Sequence, residues 1–301
     1  MDWLRGARPA NRHCADDFIG PCERPEGQGT GVAREPLKVG LAGLGAVGLE
    51  VARRIEAGIP GLALAAVSVR DKEKARRNLP GIGERIPVVA AEALAEACDL
   101  VVECLPPAMF RAVAASVIER GKIFMPLSVG QLLENWEFVE RAKETGAHIL
   151  VPTGGLIGLD AVRAAAEGTI RSVTMITRKP PNGLEGAPYL VERGISLKGL
   201  NEPKKVFDGA AREGARGFPA NVNVAAALSL AGIGPDKTRL EIWADPALDR
   251  NTHRIEVDAD TASFSMSIAN VPSENPRTGR IVALSTVAAL RGLVAELKVG
   301  T

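Results

Sequence analysis

Aromatic side chains are scarce in this 301-residue chain: three Trp, one Tyr and seven Phe make up 4% of it, against 46% apolar residues in all. The apolar bulk comes instead from Ala, Val and their like, the composition of an ordinary globular protein with room for two domains and a sizeable core. Excess charge is also missing. A net charge of +1 gives no basic or acidic field, so neither nucleic acid nor an anionic membrane is implied as a partner. No apolar run approaches the ~18 residues that span a bilayer. Met1-Asp2-Trp3-Leu4-Arg5-Gly6 lacks the apolar core of a secretory signal. Together these absences suggest a cytoplasmic protein.

Cysteine is limited to Cys14, Cys22, Cys98 and Cys104. Cys98 and Cys104 flank or end an apolar strand and read as buried small hydrophobes. Cys14 and Cys22, with His13 adjacent, raise the question of a metal. Their spacing fits no common zinc pattern and further ligands are missing, so no metal is expected. Four thiols without a disulfide framework suit a reducing compartment. A Ser-His-Asp order, a P-loop, an HExxH helix and internal repeats are all absent.

What is present begins after an irregular N-terminal extension, residues 1–35, rich in Pro, Gly, Arg and Asp. From residue 36 a β-α-β-α rhythm runs to about 152. The expected strands are Lys38–Ala42, Leu62–Val69, Pro87–Val89, Asp99–Cys104, Ile123–Leu127 and His148–Val151. Helices are expected near Val47–Ala57, Asp71–Arg77, Ala91–Ala97, Ala108–Arg120 and Glu134–Thr145. Such alternation implies a doubly wound parallel sheet of Rossmann type. From 153 to 278 the pattern changes. Ile170–Arg178, Arg239–Ala244, His253–Ala259 and Ala262–Val271 are β-rich and alternate, as in a mixed or antiparallel sheet with one wetted face. Helices near Ile157–Ala166, Lys204–Glu213 and Val222–Ala231 complete an α+β domain. A last helix, about 279–298, is expected to return to the first domain.

The most informative residues are Gly43-Leu44-Gly45-Ala46-Val47-Gly48, between the first strand and the first helix. Gly43 permits the tight turn, Gly45 lets the backbone approach a pyrophosphate, and Gly48 lets helix and strand pack closely. The backbone of Ala46 and Val47 then offers free N–H groups at a helix N-terminus, which favours phosphate. A nicotinamide dinucleotide is therefore the expected cofactor. In NAD-preferring sites an acid about 20 residues on holds the adenosine ribose. Here Val69 and Arg70 stand at that point, and Asp71 comes one or two residues late. Ser68 and Arg70 suit a 2′-phosphate instead, so the cofactor is read as NAD, NADP or both.

Three histidines make the search for an acid/base group short. His13 lies in the extension. His148 starts a strand and reads as structural. His253 sits in Asn251-Thr252-His253-Arg254-Ile255, a turn running into a second-domain strand. Pro152-Thr153-Gly154-Gly155 follows the sixth strand, at the edge where ligands bind in open α/β sheets. Ser128, after the fifth strand, is similarly placed. Phe218-Pro219-Ala220-Asn221-Val222-Asn223 sets two amides at a helix start, and one of them is expected to cap the helix.

These segments resemble those of the L-aspartate dehydrogenase family. The resemblance rests on Gly40–Gly48, Glu103-Cys104-Leu105-Pro106, Leu127-Ser128-Val129-Gly130, Val151–Ala161, Phe218–Ala225 and Asn251–Ile255, and covers about residues 36 to 298. It implies reversible, NAD(P)-dependent oxidative deamination of L-aspartate to iminoaspartate or oxaloacetate plus ammonia, in a homodimer or homotetramer. It makes His253 the acid/base and Asn223 a ligand on the nicotinamide side. Leu105, Ser128 and Ile157 become cofactor contacts, Ile157 through its backbone where the family more often has Ala. Thr153 and Asn221 become substrate contacts. Two substrate carboxylates also require cationic or amide partners, for which Lys179, Lys198, Arg277 and Asn201 are candidates. Dihydrodipicolinate reductases share the layout but carry a His-His pair and a Lys motif absent here. The catalytic lysine motifs of homoserine dehydrogenases are not found either. A nucleotide-binding sensor without enzymatic activity is the remaining alternative.

Overall fold

The structure, a computed structural model, describes residues 35–219, 222–273 and 279–300. Residues 1–34 of the N-terminal extension, with His13, Cys14 and Cys22, lie outside the described residues, as do Asn221 and Arg277.

The first sheet contains β1 (Leu37–Ala42), β2 (Leu62–Ser68), β3 (Leu100–Glu103), β4 (Ile123–Pro126) and β5 (His148–Ile149), all parallel, in the order β2-β1-β3-β4-β5. Between them run α1 (Ala46–Glu56), α2 (Lys72–Asn78), α3 (Leu94–Ala97), α4 (Phe110–Glu119), α5 (Val129–Glu134) and α6 (Glu137–Thr145). Successive strand residues face opposite sides. Val39, Leu41, Leu100 and Val102 join Val51 and Ile55 of α1 in one core. Ala42, Val101 and Phe124 join Phe110, Val113 and Val117 of α4 in the other. This two-sided burial explains why the strands read as unbroken apolar runs. The few aromatics are concentrated. Phe110 packs edge-on against Phe124 and Phe138, with ring centres 5.6 and 6.3 Å apart.

The sheet has five strands rather than six. Pro87–Val89 makes only an isolated bridge, Val88 to Val67, because Pro87 has no N–H to extend the ladder. The helix expected over Glu134–Thr145 is α6, which starts at Glu137; the separate helix α5 precedes it. They part at Asn135, whose Nδ2 donates to Gln131 O at 2.7 Å.

The second sheet, in the order β10-β9-β6-β8-β7, is mixed. It comprises β6 (Ile170–Lys179), β7 (Lys204–Ala210), β8 (Arg239–Ala244), β9 (Asn251–Ala259) and β10 (Ser263–Asn270). One face is covered by α7 (Leu159–Ala166), α9 (Ala211–Gly217) and α10 (Asn223–Ala231), while α8 (Pro188–Glu192) lies at the rim of the same core. Val173, Met175, Leu240, Ile242, Ile255 and Val257 fill this core.

Lys204–Glu213 does not form the expected helix. Its first seven residues are the edge strand β7. A register shift between Lys205 and Phe207 turns both Val206 and Phe207 into the core, and a helix would carry Gly209 at a cost of about 1 kcal/mol. Phe207 meets Tyr189 and Phe218 there, with ring centres 5.2 and 5.7 Å away. Sheet pairing and aromatic packing thus outweigh local propensity. The helix starts only at α9, where Glu213 Oε2 accepts from Ala210 N at 3.3 Å.

The last helix, α11 (Ile281–Val294), places Ala283, Val287 and Leu290 in the core that holds β1 and α1. Ser285 Oγ donates to Gly154 O at 3.1 Å, tying the helix to the segment after β5. No helix among the described residues is long and apolar enough to cross a membrane. No cluster of three His, Cys, Asp or Glu side chains suited to a metal occurs among them.

Candidate active site

A cavity of about 610 Å³ lies at the C-terminal ends of β1, β3 and β4, the edge where open α/β sheets bind ligands. Its first wall is the glycine turn. Gly43 has φ +101°, and a Cβ there would sit 2.9 Å from Cys104 O. At Gly48 a Cβ would fall 2.1 Å from Gly43 O, so only glycine lets α1 pack this close. A Cβ at Gly45 would meet nothing within 4 Å; the backbone is open on the cavity side. Gly45, Ala46, Val47 and Gly48 all line the cavity. Gly45 caps α1 without a side chain, so the first N–H groups of the helix have no capping oxygen of their own. An open glycine backbone with a helix N-terminus beside it fits a pyrophosphate.

The second wall is made by the ends of β3 and β4, held together by Glu103. Its carboxylate is fully buried. Oε1 accepts from Leu105 N at 2.8 Å and Ser128 Oγ at 3.2 Å, and Oε2 accepts from Ser128 N at 3.1 Å. Burial pushes its pKa up, against the downward pull of these donors. Leu105 and Ser128 line the cavity on this staple. Cys104 also lines it, and burial pushes its thiol well above the usual range, as it does Cys98, to about 11. Both are free thiols.

Asn223 does not cap α10. It is the first helical residue, and its Oδ1 accepts from Gly130 N at 3.0 Å, bridging to α5. The bond fixes the amide's orientation, so its NH₂ remains as the donor at the cavity wall.

The third wall comes from the second sheet. Along β6, Val173 and Met175 are followed on the same face by Thr177 and Lys179, both buried. Thr177 stands opposite His253 of β9, and Asn251 stands opposite Asn270 of β10. The helix-covered face of the sheet is therefore apolar along most of its length and polar at the cavity end. His253 is 4% exposed, and its Nδ1 lies 3.1 Å from Thr177 Oγ1. Burial first, and then the Lys179 ammonium, hold its pKa down to about 3. His253 is thus a neutral imidazole at pH 7. With Nδ1–H donating to Thr177, Nε2 is the ring's proton-accepting atom. Asn270 Nδ2 donates to Gly155 O at 2.8 Å, and its buried Oδ1 has no hydrogen-bond partner among the described residues.

Of the residues singled out from the sequence, Gly45, Ala46, Val47, Gly48, Leu105, Ser128, Thr153, Asn223 and His253 line this one cavity, with Gly43 forming the turn beneath it. Ile157 does not; it lies two residues beyond Gly155, which does. Ser68 and Arg70 stand apart at the end of β2. Ser68 is buried and its carbonyl accepts from Gly43 N at 2.9 Å, whereas Arg70 is exposed. Of the proposed carboxylate partners Lys179 alone among the described residues reaches the cavity, since Lys198 and Asn201 are on the surface. His148 is exposed. Thr177, Asn251, Asn270 and the Glu103 staple escaped the sequence reading. The available signal was polar Thr177 and Lys179 continuing the buried register of Val173 and Met175.

A glycine turn, a helix N-terminus and a neutral imidazole across one cleft define a nicotinamide-dinucleotide-dependent dehydrogenase. Residues 43–152 match the NAD-binding domain model of homoserine dehydrogenase, and residues 160–293 match the C-terminal model of aspartate dehydrogenase. The L-aspartate dehydrogenase of Bradyrhizobium diazoefficiens is 54% identical over 269 residues, 89% of this chain and 96% of that one. L-aspartate dehydrogenase 3 of Bordetella bronchiseptica is 51% identical, covering 89% and 99%. The crystal structure of aspartate dehydrogenase from Thermotoga maritima shares the fold, with a TM-score of 0.65 at 21% identity, covering 88% of this chain and 99% of that one. The chain belongs to the L-aspartate dehydrogenase family.

Proposed function

We propose that this protein catalyses the reversible, NAD(P)-dependent oxidative deamination of L-aspartate to iminoaspartate, which hydrolyses to oxaloacetate and ammonia. The observation that carries the reading is the position of His253, buried in the same cavity as the N-terminus of α1. The bound dinucleotide supplies the hydride acceptor. Around it the N–H groups of Ala46, Val47 and Gly48 hold the pyrophosphate, and the Glu103 staple fixes the two loops of the nicotinamide side. Asn223 donates from its amide to that same side.

His253 starts as a base because its burial keeps it neutral. It removes a proton from the substrate ammonium, which frees the nitrogen lone pair that drives hydride loss from the α-carbon. After releasing that proton to solvent, it takes a proton from the water that attacks the imine. Thr177 orients the ring for both transfers. Thr153, which lines the cavity, and Asn221 are proposed as substrate contacts, and Ile157 as a backbone contact to the cofactor.

The residues 36–152 with α11 are the dinucleotide-binding part on this reading, and 153–278 the substrate part. Asp71 accepts from Lys74 N at 2.9 Å as the cap of α2 and is taken up there. With Val69 preceding it, no free acid awaits the adenosine ribose, and Ser68 with Arg70 favours acceptance of NADP alongside NAD. The assembly is a homodimer or homotetramer, checked by light scattering on the purified protein. The activity is tested by following NAD(P) reduction with L-aspartate at alkaline pH. His253→Ala is expected to lower kcat by about 10²–10⁴-fold with NAD(P)H binding intact. Full turnover in that variant would remove His253 from its role.

A further inference from the structure

The reaction scheme above gives the substrate nitrogen one partner, His253, yet an amine or ammonium carries more N–H groups than one imidazole accepts. The described lining of the cavity contains no Asp or Glu to take another, and Asn223 turns its oxygen to Gly130 N. Asn251 of β9 and Asn270 of β10 stand directly opposite each other in the same wall. Asn270 is buried, and its Nδ2 is committed to Gly155 O at 2.8 Å, which fixes the orientation of the amide. Its Oδ1 is then left buried and without a partner among the described residues, a costly state for an acceptor. Gly279 packs over this amide so closely that a Cβ there would lie 2.9 Å from Asn270 Cβ and 3.1 Å from Oδ1. The oxygen is closed to solvent, so its partner has to be a neighbouring protein donor. Side chains directly opposite in an antiparallel pair have Cβ atoms about 4.5–5.5 Å apart, within reach of an amide–amide hydrogen bond. The Asn251 amide is half-buried and makes no hydrogen bond among the described residues.

We propose that Asn251 and Asn270 form an amide relay that holds the substrate nitrogen: Asn251 donates its NH₂ to Asn270 Oδ1, and its own Oδ1, turned into the cavity, accepts an N–H of the substrate beside His253. The assignment rests on the aspartate reading of the function. It adds a site for the group that separates an amino acid from the corresponding deaminated acid. Asn251 precedes His253 by two residues, on the same face of β9. Same-face neighbours along a strand are about 6–7 Å apart, a gap that one nitrogen spans with a hydrogen bond of about 3 Å to each side chain. The two acceptors divide the work. The imidazole removes one proton, and the amide oxygen holds a second N–H in place, so the freed lone pair keeps one direction. A neutral amide suits this task better than an acid, because a carboxylate would favour the charged ammonium and oppose its deprotonation. In the reductive direction the same pair receives ammonia. Asn270 touches no substrate on this account; it is the positioning residue that turns the Asn251 amide.

The test titrates L-aspartate and succinate, which has the same two carboxylates and no nitrogen, into the NAD(P)H-loaded protein and follows the fluorescence of the bound cofactor. A hydrogen bond to a charged group corresponds to about a 10- to 100-fold change in affinity. Asn251→Leu is expected to weaken L-aspartate by that factor, with succinate and NAD(P)H affinities unchanged. Asn251→Asp retains an acceptor and should retain the preference for L-aspartate over succinate. Asn270→Leu removes the oxygen that turns the Asn251 amide, and should lower the same preference by a smaller factor while succinate still binds. In the reductive direction, Asn251→Leu should raise KM for ammonium and leave KM for oxaloacetate as it is. Equal losses of L-aspartate and succinate in Asn251→Leu would overturn the assignment, since the amide would then serve a carboxylate or only shape the wall. An unchanged L-aspartate affinity in that variant would overturn it too. A wild type that binds L-aspartate but does not oxidise it with NAD(P) overturns the functional reading, and the nitrogen site is still decided by the two titrations.

Discussion

His253 makes a prediction about stability as well as catalysis. Its imidazole has a pKa near 6.5 in an unfolded chain and about 3 in the folded one, because burial and the Lys179 ammonium disfavour its charged form. Between these values the unfolded state binds a proton that the folded state does not. Stability therefore rises with pH across this window, is complete above about 6.5, and is lost as the pH falls toward 3. One unit corresponds to about 1.4 kcal/mol, so moving from pH 7.5 to pH 4.5 removes about 2–3 kcal/mol through this one group. That is a large share of the 5–15 kcal/mol typical of a folded domain. Carboxylates also respond to acid, so the measurement is a difference: urea unfolding of the wild type and of His253→Asn at several pH values across the window. The wild type should lose about 2–3 kcal/mol more than the variant between the two ends. Superimposable profiles, within about 0.5 kcal/mol, would show that His253 takes up its proton in the folded protein at an ordinary pKa. That result would refute the neutral buried base.

Two further outcomes test the cofactor side. Gly48→Ala sets a methyl 2.1 Å from Gly43 O and must push α1 off β1; NAD(P)H binding should be lost, with a fall in stability of about 1–3 kcal/mol by thermal unfolding. Arg70→Ala is expected to raise KM for NADP about tenfold or more, the worth of a charged phosphate contact, and to leave KM for NAD unchanged; an unaltered NADP KM would remove Arg70 from the 2′-phosphate.

The parts of the fold that were legible are those in which local pattern and tertiary environment agree. The strands of the first sheet are buried on both sides, so their apolar runs are continuous and β1, β3 and β4 stand where the sequence puts them. The glycine turn was equally clear, because Gly43 and Gly48 answer steric demands that no other residue meets. β7 failed this test. Lys204–Ala210 is an edge strand with a bulge, so its polar residues follow neither a two-residue nor a helical period. What fixes it as a strand is Phe207 packing on Tyr189 and Phe218, partners 18 and 11 residues away in sequence. Such contacts leave no local trace.

The site divides along the same line. His253 could be found because histidine is rare here, and the glycine turn because its spacing is fixed. Lys179 appeared only as one of four candidates, and Asn270 not at all, because their meaning depends on strand register. Once Thr177 is set opposite His253, Lys179 must share the buried face of β6, and that face must end at the dinucleotide cavity. The same register explains why a sequence reading undervalues such residues. A Lys ending a strand is ordinarily a solvated terminus, and an Asn ending one is ordinarily a turn. Here the parallel sheet's ligand edge covers the end of the mixed sheet, and the termini of β6, β9 and β10 become interior. The chemistry of the cleft therefore arises where two sheets meet. One supplies backbone N–H groups for phosphate, and the other supplies the side chains for the amino acid.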